Sequence, residues 1–188
     1  SSGGTEMSAL EAKSSKITQL YYEWTQYVDG QKYNEGKAWM KGNMAKKEEP
    51  VSTGGTIVYI YDMAKGEYYT YSVGQSTAYH GDYDPNNPEV LTKPTDIRTW
   101  FFPEDLKPAG TETLNGKICT VIAVEEEGEV VARIWVSEET GLKLREEYMY
   151  VQGTPKAVIE YNYITIDGPI DDSVFELPAG MTIEEMDW

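Results

Sequence analysis

The sequence predicts a mainly β fold, α+β in class, in which a curved antiparallel sheet is accompanied by short helices. Turns built around glycine recur at short intervals from residue 30 onward, and the runs between them are rich in Tyr, Val, Ile and Thr, which strands favour. Short loops also place successive strands side by side in antiparallel order. At 188 residues the chain is long enough to bury a core of its own.

A short helix and a hairpin are predicted at the start of the chain. Ser8-Ala9-Leu10-Glu11 matches the capping box, in which the serine caps an amide and the glutamate reaches back, so a helix is predicted from Ser8 to about Ser14. Residues 1–7 are predicted to form a flexible tether, because their first five have the composition of a linker. The aromatic run Ile17–Val28 favours a strand over a helix, because the Asp29-Gly30 that follows is typical of a tight hairpin turn.

Further strands are predicted between the later turns. Each run has strand length and contains β-branched or aromatic residues. The runs are Thr56–Asp62, Glu67–Val73, Lys117–Glu125, Val130–Ser137, Lys143–Val151 and Lys156–Ile166. The first of them is apolar on both sides at residues 57–61, so we expect this strand to be covered on both faces.

Residues 82–108 interrupt the strand pattern. They contain five of the nine prolines and the apolar cluster Trp100-Phe101-Phe102. Long irregular insertions usually serve a function, so a loop with a short helix is predicted, with the aromatic cluster as a plug over the sheet. Asp82–Glu89 spaces oxygen ligands as a calcium loop begins, yet Asn87 and Lys93 stand where an EF-hand-type loop needs Gly and Glu. A solvated loop is therefore favoured over a calcium site.

The charge and the counts of reactive residues exclude several classes of protein. A formal net charge of −16 repels nucleic acid phosphates and anionic membrane surfaces. Cys119 is the only cysteine and His80 the only histidine, which excludes intramolecular disulfides, Cys-based zinc clusters and multi-histidine metal sites. Neither a Gly-x-Ser-x-Gly elbow nor a phosphate-binding glycine loop occurs. We therefore predict no catalytic residues, no metal, no cofactor, no nucleic acid partner, and a buried apolar role for Cys119.

The composition is unusual in its aromatic excess. Twenty-three residues are Phe, Trp or Tyr, and fifteen of these are Tyr, which combines an apolar body with a polar tip. Core packing accounts for most of them. A curved antiparallel sheet with a separate helix and plug also leaves a concave face, on which aromatic and methionine side chains can form an apolar cavity.

Three segments carry a family resemblance. The hairpin Lys37–Met44 leads to Lys47-Glu48, the hairpin Ile134–Leu144 combines a Trp, an acidic turn and Thr-Gly-Leu, and Pro169–Gly180 ends in Phe-x-Leu-Pro-x-Gly. Their order and spacing cover the chain from about residue 16 to residue 182. In these features the sequence resembles the outer-membrane lipoprotein-sorting superfamily of LolA-like and LolB-like lipoprotein carriers.

The resemblance implies an unclosed antiparallel β-barrel whose concave face is covered by helices and holds acyl chains or a lipidated partner. It supplies no catalytic residues, because the family binds its ligands without reacting with them. The chain departs from the well-known carriers in its abundant tyrosine, its acidic charge and its proline-rich insertion. The same fold serves carriers, anchored receptors, lipid-binding lipoproteins and stress-sensing regulators.

We therefore expect an extracytoplasmic binding protein with no enzymatic activity, located in the periplasm or on the outer face of the cell membrane. Residues 8–188 would form a single LolA-like domain, with a lipid anchor on a residue that precedes Ser1. Its expected ligands are lipid acyl chains or a lipidated protein, and a membrane-anchored protein is an expected partner. The expected cavity lining is Trp39, Tyr59, Tyr61, Trp135 and Met149, with Trp100, Phe101 and Phe102 as a movable lid.

A second reading of the sequence stays open. The protein would then be a sensor or protein-interaction domain of a cell-envelope regulatory system. Its own aromatic residues would fill the core, and its acidic surface would meet a basic protein.

Overall fold

The computed structural model describes residues 2–84, 106–151 and 154–186. These residues form one α-helix, twelve strands and a 3-10 helix at Asp172–Phe175. In chain order the elements are α1 (Ser2–Ser14), β1 (Gln19–Val28), β2 (Gln31–Lys41), β3 (Met44–Pro50), β4 (Thr56–Asp62), β5 (Glu67–Ser72), β6 (Thr77–Asp82), β7 (Leu106–Leu114), β8 (Lys117–Glu126), β9 (Glu129–Ser137), β10 (Lys143–Val151), β11 (Thr154–Ile166) and β12 (Thr182–Glu185).

The twelve described strands form one sheet. Its order is β12-β6-β5-β4-β3-β2-β1-β11-β10-β9-β8-β7. Strands β2 to β6 and β7 to β11 pair antiparallel with their chain neighbours, whereas β12 pairs parallel with β6. The outermost strands β12 and β7 each have a neighbour on one side only, so the sheet is not closed. The predicted mainly β fold, with the open sheet of an unclosed barrel, is confirmed.

Three hairpins have two-residue turns of the same backbone conformation. The pairs Asp29-Gly30, Asn115-Gly116 and Glu127-Gly128 all have positive φ at both positions, between 49° and 85°. Two left-handed residues in succession produce the turn whose twist matches that of the flanking strands. The hairpin predicted at residues 29–30 is therefore confirmed as the connection between β1 and β2.

Helix α1 begins at Ser2, whereas the capping box predicted a start at Ser8. The Ser8 hydroxyl donates to the carbonyl of Gly4 at 2.8 Å, so it bonds back into the preceding turn and does not cap a helix start. Met7 is buried, which gives the additional turns of helix an apolar contact. The structure thus places residues 2–7, predicted as a tether, in α1.

By its internal contacts the chain divides into two compact units. Unit 1 comprises Ser1–Ile17, Thr25–Tyr33 and Thr92–Asn162, and unit 2 comprises Thr18–Trp24, Asn34–Leu91 and Tyr163–Trp188. The assignment of residues 8–188 to a single domain stays a prediction.

The core of unit 1 lies between α1 and one face of its strands. Met7 and Leu10 of the helix meet a set of buried aliphatic residues from β7, β8 and β9. These are Leu106, Ile122, Val124, Ala132, Ile134 and Val136. Burying one such large side chain contributes about 1.5–3 kcal/mol, so two residues provide most of the apolar attachment of α1.

The core of unit 2 lies between β4 to β6 and the segment that follows β11. Residues 168–181 form this C-terminal strap, which brings Ile170 and Phe175 onto Val58 and Ile60. Lys41 holds the strap, because its amine donates to the carbonyl of Ile170 at 2.7 Å and lies 2.7 Å from the carboxylate of Asp172. The strap thus covers the apolar face of these strands with the chain's own residues.

Candidate functional site

Helix α1 is docked against the turn between β9 and β10. Gly141 in this turn has a φ of +72°, and a Cβ atom there would overlap the carbonyl oxygen of Leu10 and lie 3.0 Å from the amide nitrogen of Ser14. Only glycine allows the helix and the turn to approach this closely. The amine of Lys13 adds a hydrogen bond to the carbonyl of Glu138. The helix is therefore fixed at its second half.

A groove of about 530 Å³ runs beside α1, next to strands β7 and β8 of unit 1. This volume lies within the range of small-ligand pockets, about 300–1,000 Å³. The lining residues are Glu6, Ala9, Leu10, Lys13, Pro108, Gly110, Thr111, Thr120 and Glu138. Every one of them belongs to unit 1.

The groove combines apolar groups with a small number of charges. Ala9, Leu10 and Pro108 are its apolar side chains, and Lys13 is the cation among its described lining residues. The carboxylate of Glu138 accepts a hydrogen bond from the Thr120 hydroxyl at 3.2 Å. The lining thus places three apolar residues beside one amine, Lys13, and two carboxylates, Glu6 and Glu138.

The structure separates Trp39 from Tyr59 and Tyr61, which we predicted to line one cavity. Trp39 is in register with Lys46, and Lys46 with Ile60, so Trp39 shares the face of Ile60 and packs on the core of unit 2. Tyr59 and Tyr61 alternate with Ile60 along β4 and therefore point to the opposite face. The structure brings Tyr59 and Tyr61 together and leaves Trp39 across the sheet from them.

Tyr59 and Tyr61 belong to a cluster of tyrosine rings in unit 2. The ring centroid of Tyr61 lies 6.2 Å from that of Tyr59, 5.9 Å from Tyr68 and 5.4 Å from Tyr83. These separations are those of rings in direct contact. Burial raises the pKa of the Tyr61 hydroxyl, and the neighbouring tyrosines and Glu49 raise it further. Tyr59 and Tyr61 of the predicted lining therefore pack against each other and against neighbouring tyrosines.

Trp135 lies on the face of β9 that points away from α1. Its neighbour Ile134 belongs to the core under α1, and successive strand residues alternate between faces. The Trp135 indole N–H donates to the Glu112 carboxylate at 2.8 Å, and the Arg145 guanidinium lies 5.6 Å from the ring centroid. Met149 is buried on β10. None of the five predicted lining residues borders the groove beside α1.

Two sequence predictions fall on residues 85–105. The predicted lid, Trp100 with Phe101 and Phe102, lies outside the described residues, and so does the calcium motif beyond Asp84. Within the described ranges, no group of three or more His, Cys, Asp or Glu side chains is arranged to hold a metal ion. The same part of the chain contains no helix that is both long and apolar enough to cross a membrane.

Cys119 has the role that its strand pattern predicted. Its side chain is fully buried, and burial raises the pKa of the thiol. A thiol with a raised pKa carries little thiolate and is a weak nucleophile. The structure therefore uses Cys119 as a small apolar core residue.

A buried ion pair lies inside unit 1. The amine of Lys143 is 2.7 Å from one carboxylate oxygen of Glu146, and the two residues are only 1% and 3% exposed. The Tyr161 hydroxyl donates to the other oxygen of Glu146 at 3.1 Å. Burial and the adjacent Glu146 raise the pKa of Tyr148. The pair neutralises its own charge, because each ion has its partner in the core.

Sequence reasoning missed both the groove and this ion pair. The groove joins α1 to residues about a hundred positions later in the chain, and no motif spans such a separation. The available signal was the small Ala9 beside Leu10 on the helix, which leaves space next to an apolar anchor.

Neither a family model nor a curated protein matches the sequence. Solved structures match the fold. An uncharacterized conserved protein from Thermus thermophilus superposes with a TM-score of 0.63 at 9% identity, over 99% of this chain and 100% of that protein. The Mycobacterium tuberculosis lipoprotein LppX gives 0.53 at 11% identity over 89% and 96% of the two chains. MucB gives 0.52 at 12% identity over 95% of this chain and 64% of MucB.

The chain has the fold of LppX and MucB. A LolA superfamily protein from Nitrosomonas europaea is also among the matched structures, with a TM-score of 0.40 at 10% identity over 93% and 97% of the two chains. The matches to LppX and MucB confirm, at the level of the fold, the resemblance predicted from three sequence segments. In this LppX and MucB fold, the groove beside α1 is the candidate site that the described residues form.

Proposed function

We propose that the protein is a non-catalytic, extracytoplasmic binding protein that holds a lipid acyl chain or a lipidated polypeptide in the groove beside α1. The observation that carries this proposal is a groove with apolar and charged lining in a fold shared with the lipoprotein LppX. The match to LppX extends over 96% of that protein. Attachment to a membrane through a lipid-bearing residue before Ser1 belongs to the same proposal.

The apolar side chains of the groove can contact part of an acyl chain. Each methylene that they bury contributes about 0.8 kcal/mol before the cost of ordering the chain. Ala9 and Pro108 offer apolar contact to such a chain, and Lys13 offers a positive charge to a phosphate or carboxylate at its end, next to the carboxylates of Glu6 and Glu138. A ligand of this kind needs no polar anchor deeper in the protein.

The test compares two substitutions on the same helix. Ala9 lines the groove, whereas Ala12 is exposed on α1 and does not. Ala9→Trp should fill the groove and reduce uptake of a fluorescent fatty-chain probe at least about tenfold, since a tenfold change in affinity corresponds to about 1.4 kcal/mol, less than two methylenes. Ala12→Trp adds the same side chain outside the groove and should bind as the original protein does.

Native mass spectrometry on protein purified without detergent complements this comparison. A carried mass that organic extraction identifies as an acyl lipid, and that the probe displaces, supports the proposal. Equal probe binding by Ala9→Trp and Ala12→Trp would show that the probe does not bind in the groove beside α1. For that case, acidic substitutions at Trp135 and Met149, with circular dichroism as a check on folding, test the lining that the sequence predicted.

A sensor or protein-interaction domain is the second candidate function, and a specific observation favours it. Both cores are filled by the chain's own side chains, with Ile122 and Val136 fully buried in unit 1 and Phe175 of the strap buried in unit 2. MucB, which shares the fold, has also been solved in complex with MucA. An unliganded mass together with no probe binding would favour this candidate. Salt-sensitive binding of a basic polypeptide would then be expected from the net charge of −16.

A further inference from the structure

Strand β12 closes one end of the sheet with little apolar attachment. All four of its residues are exposed, and it pairs in parallel with β6 from Thr182 opposite Thr77 to Glu185 opposite His80. The amide of Met186, directly after the strand, donates to the carbonyl of His80 at 2.9 Å. Because exposed side chains gain little from burial, the four residues of β12 depend on backbone pairing and polar contacts, while Met186 after the strand packs against Tyr68 and Gly81.

His80 supplies two of these contacts with one ring. Its Nδ1 atom lies 2.7 Å from a carboxylate oxygen of Glu185 on β12, and its Nε2 atom lies 3.1 Å from a carboxylate oxygen of Glu67 on β5. Tyr69 stacks on the ring at a centroid distance of 4.6 Å. Only the protonated imidazolium has an N–H on both nitrogens. A neutral ring would turn a lone pair toward one of the two carboxylates.

The charged groups around His80 come from three strands and one turn. Glu185 faces it from β12 and Glu67 from β5, while Lys65 in the turn before β5 lies 3.5 Å from Glu67. Asp82, two residues further along β6, is in register with Glu67. Three carboxylates against one amine give this cluster a negative surplus, which favours a positive charge on the imidazole.

The two hydrogen-bonding carboxylates have a defined effect on titration. The hydrogen bond with Glu185 is the largest cause that raises the pKa of His80, burial opposes it, and Glu67 adds to it. The protonated ring of His80 therefore stabilises the attachment of β12 fully at a pH below the ordinary His pKa. This stabilisation is lost as the pH rises through the raised pKa of His80.

We propose that His80 is a pH-operated clasp: its imidazolium fastens β12 to the edge of the sheet, and its deprotonation releases β12 and exposes β6 as a free strand edge. This inference is independent of the ligand in the groove, because β6 and β12 belong to unit 2 and the groove to unit 1.

The experiment uses the whole chain and two matched variants, Glu185→Gln and Glu184→Gln. Both remove one negative charge from β12, but adjacent strand residues point to opposite sides, and Glu185 is the one that bonds His80. Since His80 is the only histidine, its ring protons report its pKa in NMR without ambiguity. Hydrogen exchange of the Met186 amide, corrected for the intrinsic effect of pH, reports the attachment of β12.

In the original protein, protection of the Met186 amide should fall as the pH rises through the His80 titration. Glu185→Gln should lower the His80 pKa and remove most of this pH dependence, whereas Glu184→Gln should preserve both. By linkage, the fold-loss of protection equals ten raised to the difference in His80 pKa between the attached and the released strand. Constant protection across the titration, an unraised His80 pKa, or identical behaviour of the two variants would overturn the proposal.

Discussion

Replacing Gly141 by alanine should detach helix α1 from unit 1. A Cβ atom at this position would meet the carbonyl oxygen of Leu10 and the amide nitrogen of Ser14, and backbone atoms can yield only if the helix moves. Alanine at a φ of +72° also costs about 1–2 kcal/mol by itself. Moving the helix exposes Met7 and Leu10, at about 1.5–3 kcal/mol each. The free energy of unfolding should therefore fall by more than the strain alone and by less than about 8 kcal/mol.

Gly116 provides the matched control for this substitution. Its φ of +77° imposes the same strain on alanine, but nothing lies within 4 Å of a Cβ atom there. Gly116→Ala should thus lose only about 1–2 kcal/mol. Urea denaturation measures both losses, and hydrogen exchange of residues 2–14 shows whether α1 has been released. Equal losses in the two variants, or full protection of α1 in Gly141→Ala, would refute the docking described for the helix.

Three further substitutions test other contacts. Lys143→Met leaves the charge of Glu146 buried without its partner and should cost about 3–5 kcal/mol, whereas replacing both residues by Met and Leu should recover most of that loss in urea denaturation. Hydrogen bonds from the amide and hydroxyl of Thr18 lower the pKa of Asp167. The ionised Asp167 carboxylate therefore stabilises the folded protein above the usual Asp pKa, and this stabilisation is lost as the pH falls through the lowered pKa of Asp167. Asp167→Asn should therefore be less stable than the original protein at neutral pH, and the difference should vanish in acid titrations of stability. Phe175→Ala should cost about 3–5 kcal/mol and increase proteolysis of the C-terminal strap if that strap covers the core of unit 2.

The sequence predicted strands well where β-branched and aromatic residues fill the run between two turns. Strands β4, β5 and β8 to β11 were all identified in this way. Strand β7 was not, because Pro108 and Gly110 break its pattern, and both are residues that strand interiors normally exclude. Strand β12 has four residues and a parallel partner about a hundred positions away, so local sequence carries no sign of its pairing.

The predicted cavity lining shows the limit of reasoning without register. Trp39, Tyr59 and Trp135 all belong to strands, as expected, yet the face on which a strand residue lies changes with a shift of one position. The register that puts Trp39 beside the core of unit 2 is set by its pairing with Lys46, which in turn pairs with Ile60. Burial of Lys143 was also beyond prediction, because a charged residue is expected in the core only when its partner is known.

The irregular course of β7 protects one end of the open sheet from self-association. An outer strand with a straight row of free backbone groups can pair with the same strand of another molecule and begin aggregation. In β7, Pro108 has no amide to donate, and the pairing with β8 shifts register between Pro108 and Thr111, where Gly110 has a φ of +109°. A neighbouring molecule would find neither a regular ladder nor a flat edge there. The same residues that hid this strand from the sequence pattern thus oppose edge-to-edge pairing at this end of the sheet.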